Sequence, residues 1–287
     1  MSCRATVIVP TSIDRGPLLQ YSVGSVLRQT LSDLEVFIVC DGAEAGTRAA
    51  AQALAQQDAR VRVFDFPKGT RRGETYRHEI LNNHADGEIV CYLCDRDLML
   101  PHHVEQMHQA LTRHDFANCA YLDIKEDGRV VPELKLDSGH PVQRARLVRH
   151  GRMGVMLSTM AHRLDFYRQL PFGWRTTPVD WFTDHYMQHQ MLSQPKCRGI
   201  GVAKPSIVYF KRGHHPGWPT QQRADELKVW SDLIDDPPAL AEKLYAALGE
   251  VLTDRLALHE RLGHGLLIDG HPPAVALRRW IRRRLRR

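Results

Sequence analysis

Polar side chains with catalytic potential gather where apolar runs end. Residues 5–9 lead into Pro10 and Thr11, residues 36–40 into Asp41-Gly42, and residues 89–93 into Asp95-Arg96-Asp97. Taken singly, Asp-Gly and Pro-Thr are ordinary turn chemistry. Recurring after three similar runs, they point to one shared polar edge. Carboxylates at i and i+2 of a turn can aim at one region, as a hard divalent cation requires. Lys68, Arg71, Arg72 and Arg77 form a cationic stretch that can meet anionic oxygens or simply face water. Asp180 and Asp184 lie four apart on a predicted helix over 179–191, so one face can carry both as candidate proton acceptors. His185 and His189 have zinc-ligand spacing but lack the glutamate of H-E-x-x-H, so a solvated or capping pair is the better reading. Cys91-x-x-Cys94 lies in an apolar run, where buried thiols are expected.

These residues need a scaffold that brings strand ends together. Strand patterns at 5–9, 36–40, 61–64, 89–93 and 119–122 alternate with helical spacing over 16–29, 47–57, 75–83 and 101–112. Repeated strand–helix units with continuous apolar strands imply a mostly parallel α/β sheet covered on both faces. Ligands in such sheets bind beyond the carboxyl ends of the strands, where Thr11, Asp41 and Asp95–Asp97 fall. Past residue 125 the pattern loosens: a hairpin turn at 126–129, a short helix over 163–169, then mainly helix from 216, broken at Pro237-Pro238 and Pro272-Pro273.

A chain of 287 residues with 43% hydrophobic composition can bury a large core. It has no 18-residue apolar run and too short an N-terminal apolar stretch for a signal peptide. Six scattered cysteines suggest a reducing, cytoplasmic setting. The net charge is +6, but residues 278–287 hold seven arginines and no acid, so subtracting them leaves −1. A near-neutral body argues against an extended nucleic-acid groove. Leu277, Ile281 and Leu285 recur among those arginines with Trp280 beside them, which suits a helix lying on an anionic membrane surface, peripheral at its inner face. Neither a G-x-x-x-x-G-K-[ST] loop nor a G-x-G-x-x-G turn follows the first strand, which disfavours an NTPase or a dinucleotide-dependent oxidoreductase.

Three segments open the chain in a set order: Thr6-Val-Ile-Val-Pro-Thr11, Ser25-Val-Leu-Arg-Gln-Thr30 and Leu34-Glu-Val-Phe-Ile-Val-Cys-Asp-Gly42. Gly73-Glu-Thr-Tyr-Arg77, Asp86-Gly-Glu-Ile89, Tyr92-Leu-Cys-Asp-Arg-Asp-Leu-Met-Leu-Pro101, Tyr167 to Pro178 and Thr183-Asp-x-Tyr-Met187 follow. This order of motifs resembles that of bacterial family-2 glycosyltransferases of the GT-A fold, and the likeness runs to about residue 230. The resemblance implies a GT-A domain over 1–215, with a nucleotide-binding half at 1–125 and an acceptor half at 126–215. A helical extension over 216–287 would end in the basic amphipathic tail 275–287.

It further implies an inverting transfer from a nucleoside-diphosphate sugar, most simply a UDP-sugar, to a hydroxyl of a glycan or lipid-linked acceptor. Asp41 matches the carboxylate that accepts from the base, with Pro10 and Thr11 on the same edge. Arg72, Gly73 and Arg77, together with Asp95 and Arg96, would meet the nucleotide sugar. Asp184 is the preferred base and Asp180 its competitor. Counting back from Pro101, Arg96 stands where the family carries its metal-binding aspartate. Either Asp95 or Asp97, with a late histidine at His215, still holds Mg2+ or Mn2+, which is the working expectation, or the Arg96 guanidinium pairs the diphosphate itself. A catalytically degenerate nucleotide- or glycan-binding member of the same fold is the alternative. Trp174 and Arg175 could line an acceptor wall, although a Trp beside Gly also reads as core packing.

Overall fold

A computed structural model describes residues 3–134, 136–149, 154–211, 213–265, 275 and 277–278. Strands β1 (Ala5–Ile13), β2 (Leu34–Ala43), β3 (Val61–Phe66) and β4 (Ile89–Tyr92) lie side by side in parallel, in the order β3-β2-β1-β4. Helices α1 (Gly16–Leu27), α2 (Ala45–Gln57) and α3 (Glu74–Asn83) make the crossovers. Successive side chains of β1 enter opposite layers: Val7 and Val9 join the core with Leu19 and Val23 of α1, whereas Ile8 packs with Ile80 and Leu81 of α3. Both faces are thereby covered, which is why these strands read as unbroken apolar runs.

Beyond β4 the nine-stranded sheet becomes mixed. The chain passes through the two-residue β5 (Leu98–Met99) and α4 (His103–Leu111) to β6 (Phe116–Ile124), which does not pair with β4. Instead β8 (Met160–Arg163) lies between them, antiparallel to both. A hairpin at 126–129, with Gly128 at φ +80°, returns β7 (Val130–Glu133) along β6. β9 (Gly199–Phe210) runs parallel to β6 and antiparallel to β5. Among the described residues six strands run parallel, as the mostly parallel expectation requires, and β5, β7 and β8 run against them; only the β6–β7 pair is a short hairpin. Helices α5 (Pro141–Arg149), α6 (Leu164–Arg168) and α7 (Thr183–Leu192) follow β7 and β8, and α8 (Thr220–Ile234) follows β9.

The Ser25…Gln29-Thr30 motif has a structural reason. Ser25 Oγ accepts from the Met99 N–H at 3.0 Å, and Gln29 reaches both the Leu100 carbonyl and the Val104 N–H at 2.9 Å. The Thr30 N–H donates to the Pro101 carbonyl. The end of α1 thus fixes the path on which the Asp95–Asp97 turn is carried.

The chain forms two compact units, Met1–Pro237 and Pro238–Arg287. The division falls after α8 rather than at 215, because α8 is tied to the end of α1 through Arg28, which reaches Ser231 and Asp235. In the second unit α9 (Pro237–Gly265) begins at the predicted proline break and exposes Tyr245, Leu248, Leu252 and Leu256. Apart from Val275, Leu277 and Arg278, the predicted basic tail 275–287 lies outside the described residues, as does the predicted break at Pro272-Pro273. Among the described residues no helix is long and apolar enough to cross a membrane.

Candidate active site

The carboxyl ends of β1, β2 and β4 bring Pro10, Thr11, Asp41 and Asp95 to one edge. Pro10 is half-buried, in register with Val39, and Thr11 with Cys40. The Thr11 hydroxyl donates to Asp95 Oδ2 at 2.9 Å, joining the first strand to the turn after β4. Asp41 is buried and holds the following loop: Oδ1 accepts from the Gly69 N–H at 2.6 Å, and Oδ2 pairs with Lys68. Gly73 closes that loop at φ +67°, where an added Cβ would lie 3.1 Å from the Asp41 Cβ. A glycine is needed there on both counts.

Gly73 also starts α3, and its first residue is a functional group that sequence reasoning missed. Glu74 is only 2% exposed; its carboxylate accepts from the Arg72 N–H at 2.8 Å and the Thr177 N–H at 3.3 Å. Burial pushes its carboxyl up, but these donors and the Arg77 charge outweigh it and hold it below the ordinary range. Arg77 is equally buried. Its Nη1 donates to the Arg72 carbonyl at 3.0 Å, and its guanidinium lies over the Trp174 ring at 4.3 Å. Arg77 Nε is buried without a hydrogen-bond partner among the described residues. Trp174 is therefore a floor for a cation rather than an acceptor wall. Its indole N–H donates to Tyr92 at 2.9 Å, its backbone N–H to Tyr167 at 2.8 Å, and Tyr92 in turn contacts His162 Nε2 at 2.8 Å. His162 Nδ1 lies 3.0 Å from the Arg163 carbonyl, and burial depresses the imidazole to about 4, so this support is neutral. Arg175 remains at the surface, over Phe172 and bonded to Tyr186.

The Asp95-Arg96-Asp97 turn separates its three charges. Asp97 is fully buried, with Oδ1 accepting from the Phe210 N–H at 3.1 Å and Oδ2 from the Ser158 hydroxyl. Burial raises its carboxyl to about 6, although Arg96 and both hydrogen bonds oppose the shift. It stitches the turn to the end of β9 and to the 3-10 turn Leu157–Thr159. Arg96 Nε donates to the Phe210 carbonyl at 3.1 Å, and its terminal nitrogens have no hydrogen-bond partner among the described residues. Burial acts against its charge, yet Cys94, Asp97 and Asp95 outweigh that and keep it firmly cationic.

Asp184 opens α7 and reaches the same place from the other side. The backbone at Leu157, next to the Ser158 that holds Asp97, favours its charged form. Burial raises its carboxyl; Arg77, Arg72 and Arg96 each pull it back without cancelling the rise. Three guanidinium groups thus act on one partly buried carboxylate. Asp180 does not share its helix face. The 178–181 turn, closed by the Trp181 N–H on the Pro178 carbonyl, keeps Asp180 exposed, and Phe182 is extended, so the helix starts at Thr183 rather than at 179.

The residues present do not fit the expected divalent ion. Asp97 is closed to it, and a guanidinium occupies the middle of the turn. His215 has partners of its own: its ring stacks on Trp218 at 3.8 Å, and its Nε2 lies 3.9 Å from Glu226. Among the described residues no three acidic, histidine or cysteine side chains group around a common point. His189 bonds the Val148 carbonyl, and the six cysteines are free thiols.

A family model described as "Glycosyl transferase family 2" matches residues 6–167. The GalNAc(5)-diNAcBac-PP-undecaprenol beta-1,3-glucosyltransferase of Campylobacter jejuni is 28% identical over 134 residues, covering 46% of this chain and 42% of the relative. The succinoglycan biosynthesis protein ExoW of Rhizobium meliloti is 30% identical over 123 residues, covering 42% and 38%. The match thus spans about two-fifths of each relative. S. aureus TarS 1–349 in complex with UDP-GlcNAc superposes with TM-score 0.56 at 16% identity, over 80% of this chain and 66% of that one. Mannosyltransferase PcManGT from Pyrobaculum calidifontis, in complex with GDP-Man and Mn2+, superposes with TM-score 0.51 at 17% identity, over 92% and 81%. At these identities the structural likeness speaks for the fold alone.

Proposed function

The chain belongs to glycosyl transferase family 2, and from that premise we propose that it transfers a sugar with inversion from a UDP-sugar to a hydroxyl of a lipid-linked or other cell-surface glycan. The observation that carries this reading is one carboxylate, Asp184, within electrostatic reach of Arg77, Arg72 and Arg96. Transfer makes a bond from the acceptor oxygen to the anomeric carbon as the bond to the diphosphate oxygen breaks on the opposite face. The hydroxyl proton passes to an Asp184 carboxylate oxygen, and the departing diphosphate's charge is met by guanidinium groups already fixed by Trp174 and Phe210. Asp41, released from Lys68, is the acceptor for the base N–H, with Pro10 and Thr11 along the same edge. Arg72 and Gly73 border the sugar diphosphate, and Asp95, held by Thr11, faces the nucleoside.

Support for the donor comes from the UDP-GlcNAc bound to the fold neighbour, and for the acceptor from the undecaprenol-linked substrate in the Campylobacter relative's name. The mannosyltransferase neighbour binds Mn2+, but among the described residues no group of three such ligands is found here, so no step is routed through a metal. The Arg-rich tail, residues 278–287, would hold the enzyme on an anionic membrane where such an acceptor resides. A chain lacking 275–287 should lose vesicle binding yet retain transfer to a soluble acceptor. The deciding experiment incubates the full chain with a panel of nucleotide sugars and a lipid-linked saccharide acceptor. Donor consumption with a product of inverted anomeric configuration supports the reading. A product of retained configuration, or no turnover with any donor, refutes it.

A further inference from the structure

We propose that this enzyme binds its donor without a divalent metal, the diphosphate being neutralised by a bracket of guanidinium groups centred on Arg96; this rests on the donor reading above. Three independent anchors put the bracket together. Arg96 is fixed through Nε to the Phe210 carbonyl, and its two terminal nitrogens have no hydrogen-bond partner among the described residues, which leaves the guanidinium fork free for a bidentate anion. Arg77, buried on the Trp174 ring, holds the Arg72 carbonyl and keeps an Nε without a partner among the described residues. Ser158 receives the Cys94 N–H at 2.9 Å and donates to Asp97, so the 3-10 turn Leu157–Thr159 braces the Arg96 turn on both sides of the guanidinium.

The same bonds remove the usual means of holding a cation. Asp97 spends both oxygens on protein donors, and Asp95 accepts from Thr11 with the Arg96 charge beside it. A dication placed there would meet a fixed monocation in a partly buried site, where like charges repel strongly. A diphosphate placed there would meet complementary charge and the bidentate geometry that guanidinium offers phosphate oxygens.

Calorimetric titration of UDP into the full chain, with EDTA or with Mn2+, tests the proposal. The wild type should bind equally in both, within about twofold. Arg96→Ala should weaken UDP by about 10- to 100-fold, the loss expected for charge-assisted hydrogen bonds. Arg96→Lys keeps the charge without the fork, should weaken binding less, and carries the test if Arg96→Ala fails to fold. Arg96→Asp should make UDP binding depend on Mn2+. Wild-type binding that vanishes in EDTA and returns with Mn2+ overturns the proposal, as does unweakened binding by folded Arg96→Ala or Arg96→Lys. If no nucleoside diphosphate binds under either condition, the donor reading itself fails, and this inference falls with it.

Discussion

Along β1, β2 and the turn after β4, the polar groups Thr11, Asp41, Asp95 and Asp97 are held by protein partners. Thr11 serves Asp95, Asp41 takes Lys68 and Gly69, and Asp97 takes Ser158 and Phe210. The 172–186 segment behaves otherwise. It is pinned inward at Trp174 and by the Glu74–Thr177 contact, yet it leaves Val179, Phe182 and Phe172 exposed, the last under Arg175. Under the proposed function, the difference would separate two tasks. A nucleoside diphosphate has fixed shape and charge, so a rigid edge of backbone and buried ions suits it. An acceptor that is long, partly apolar and variable suits an open apolar lip anchored at one point.

The largest expected effect tests whether the two sides meet at Asp184. Asp184→Asn should lower turnover by about 100- to 10,000-fold, the usual worth of a general base, with UDP affinity nearly unchanged in calorimetry. Joint loss of turnover and UDP binding would place Asp184 on the donor side only. In the wild type the acidic limb of kcat/KM should lie above the ordinary aspartate range, because the carboxyl is raised by burial and must ionise to accept a proton.

Trp174 comes next, since it props both sides. Trp174→Ala should cost about 3–5 kcal/mol in denaturant unfolding by opening a cavity. Trp174→Phe should lose only about 1 kcal/mol for the Tyr92 hydrogen bond while raising the donor KM through the displaced Arg77. A Phe variant with wild-type KM would show that Arg77 does not depend on that ring for its place.

Asp97 gives a pH signature. Its carboxyl is raised from 3.8 to about 6, so its stabilising contribution is fully present below about pH 4 and is lost as pH rises through 6. Between those values the wild type should lose on the order of 3 kcal/mol relative to Asp97→Asn. Parallel pH profiles of the two melting temperatures would contradict the buried assignment. The smallest effect belongs to Asp180, exposed in its turn. Asp180→Asn should leave stability within about 0.5 kcal/mol and transfer rates near wild type. A loss comparable to that of Asp184→Asn would reverse the assignment of the base.

The sequence by itself determined the apolar strands, their helical crossovers and the polar residues at their ends, because strand and helix periods are local properties of the chain. β1 to β4 and the convergence of Thr11, Asp41 and Asp95 were legible for that reason. The substitution of Arg96 in the motif was equally plain, but not its consequence. Only the tertiary structure decided that Asp97 is an internal tie, that Trp174 supports Arg77, and that Glu74 and Ser158 belong to the site. Each depends on a partner far along the chain: Ser158 on Asp97, Trp174 on Tyr92, Glu74 on Thr177. Nor could periodicity place β8 between β4 and β6, since side-chain alternation records which face of a strand is buried, not which strand becomes its neighbour.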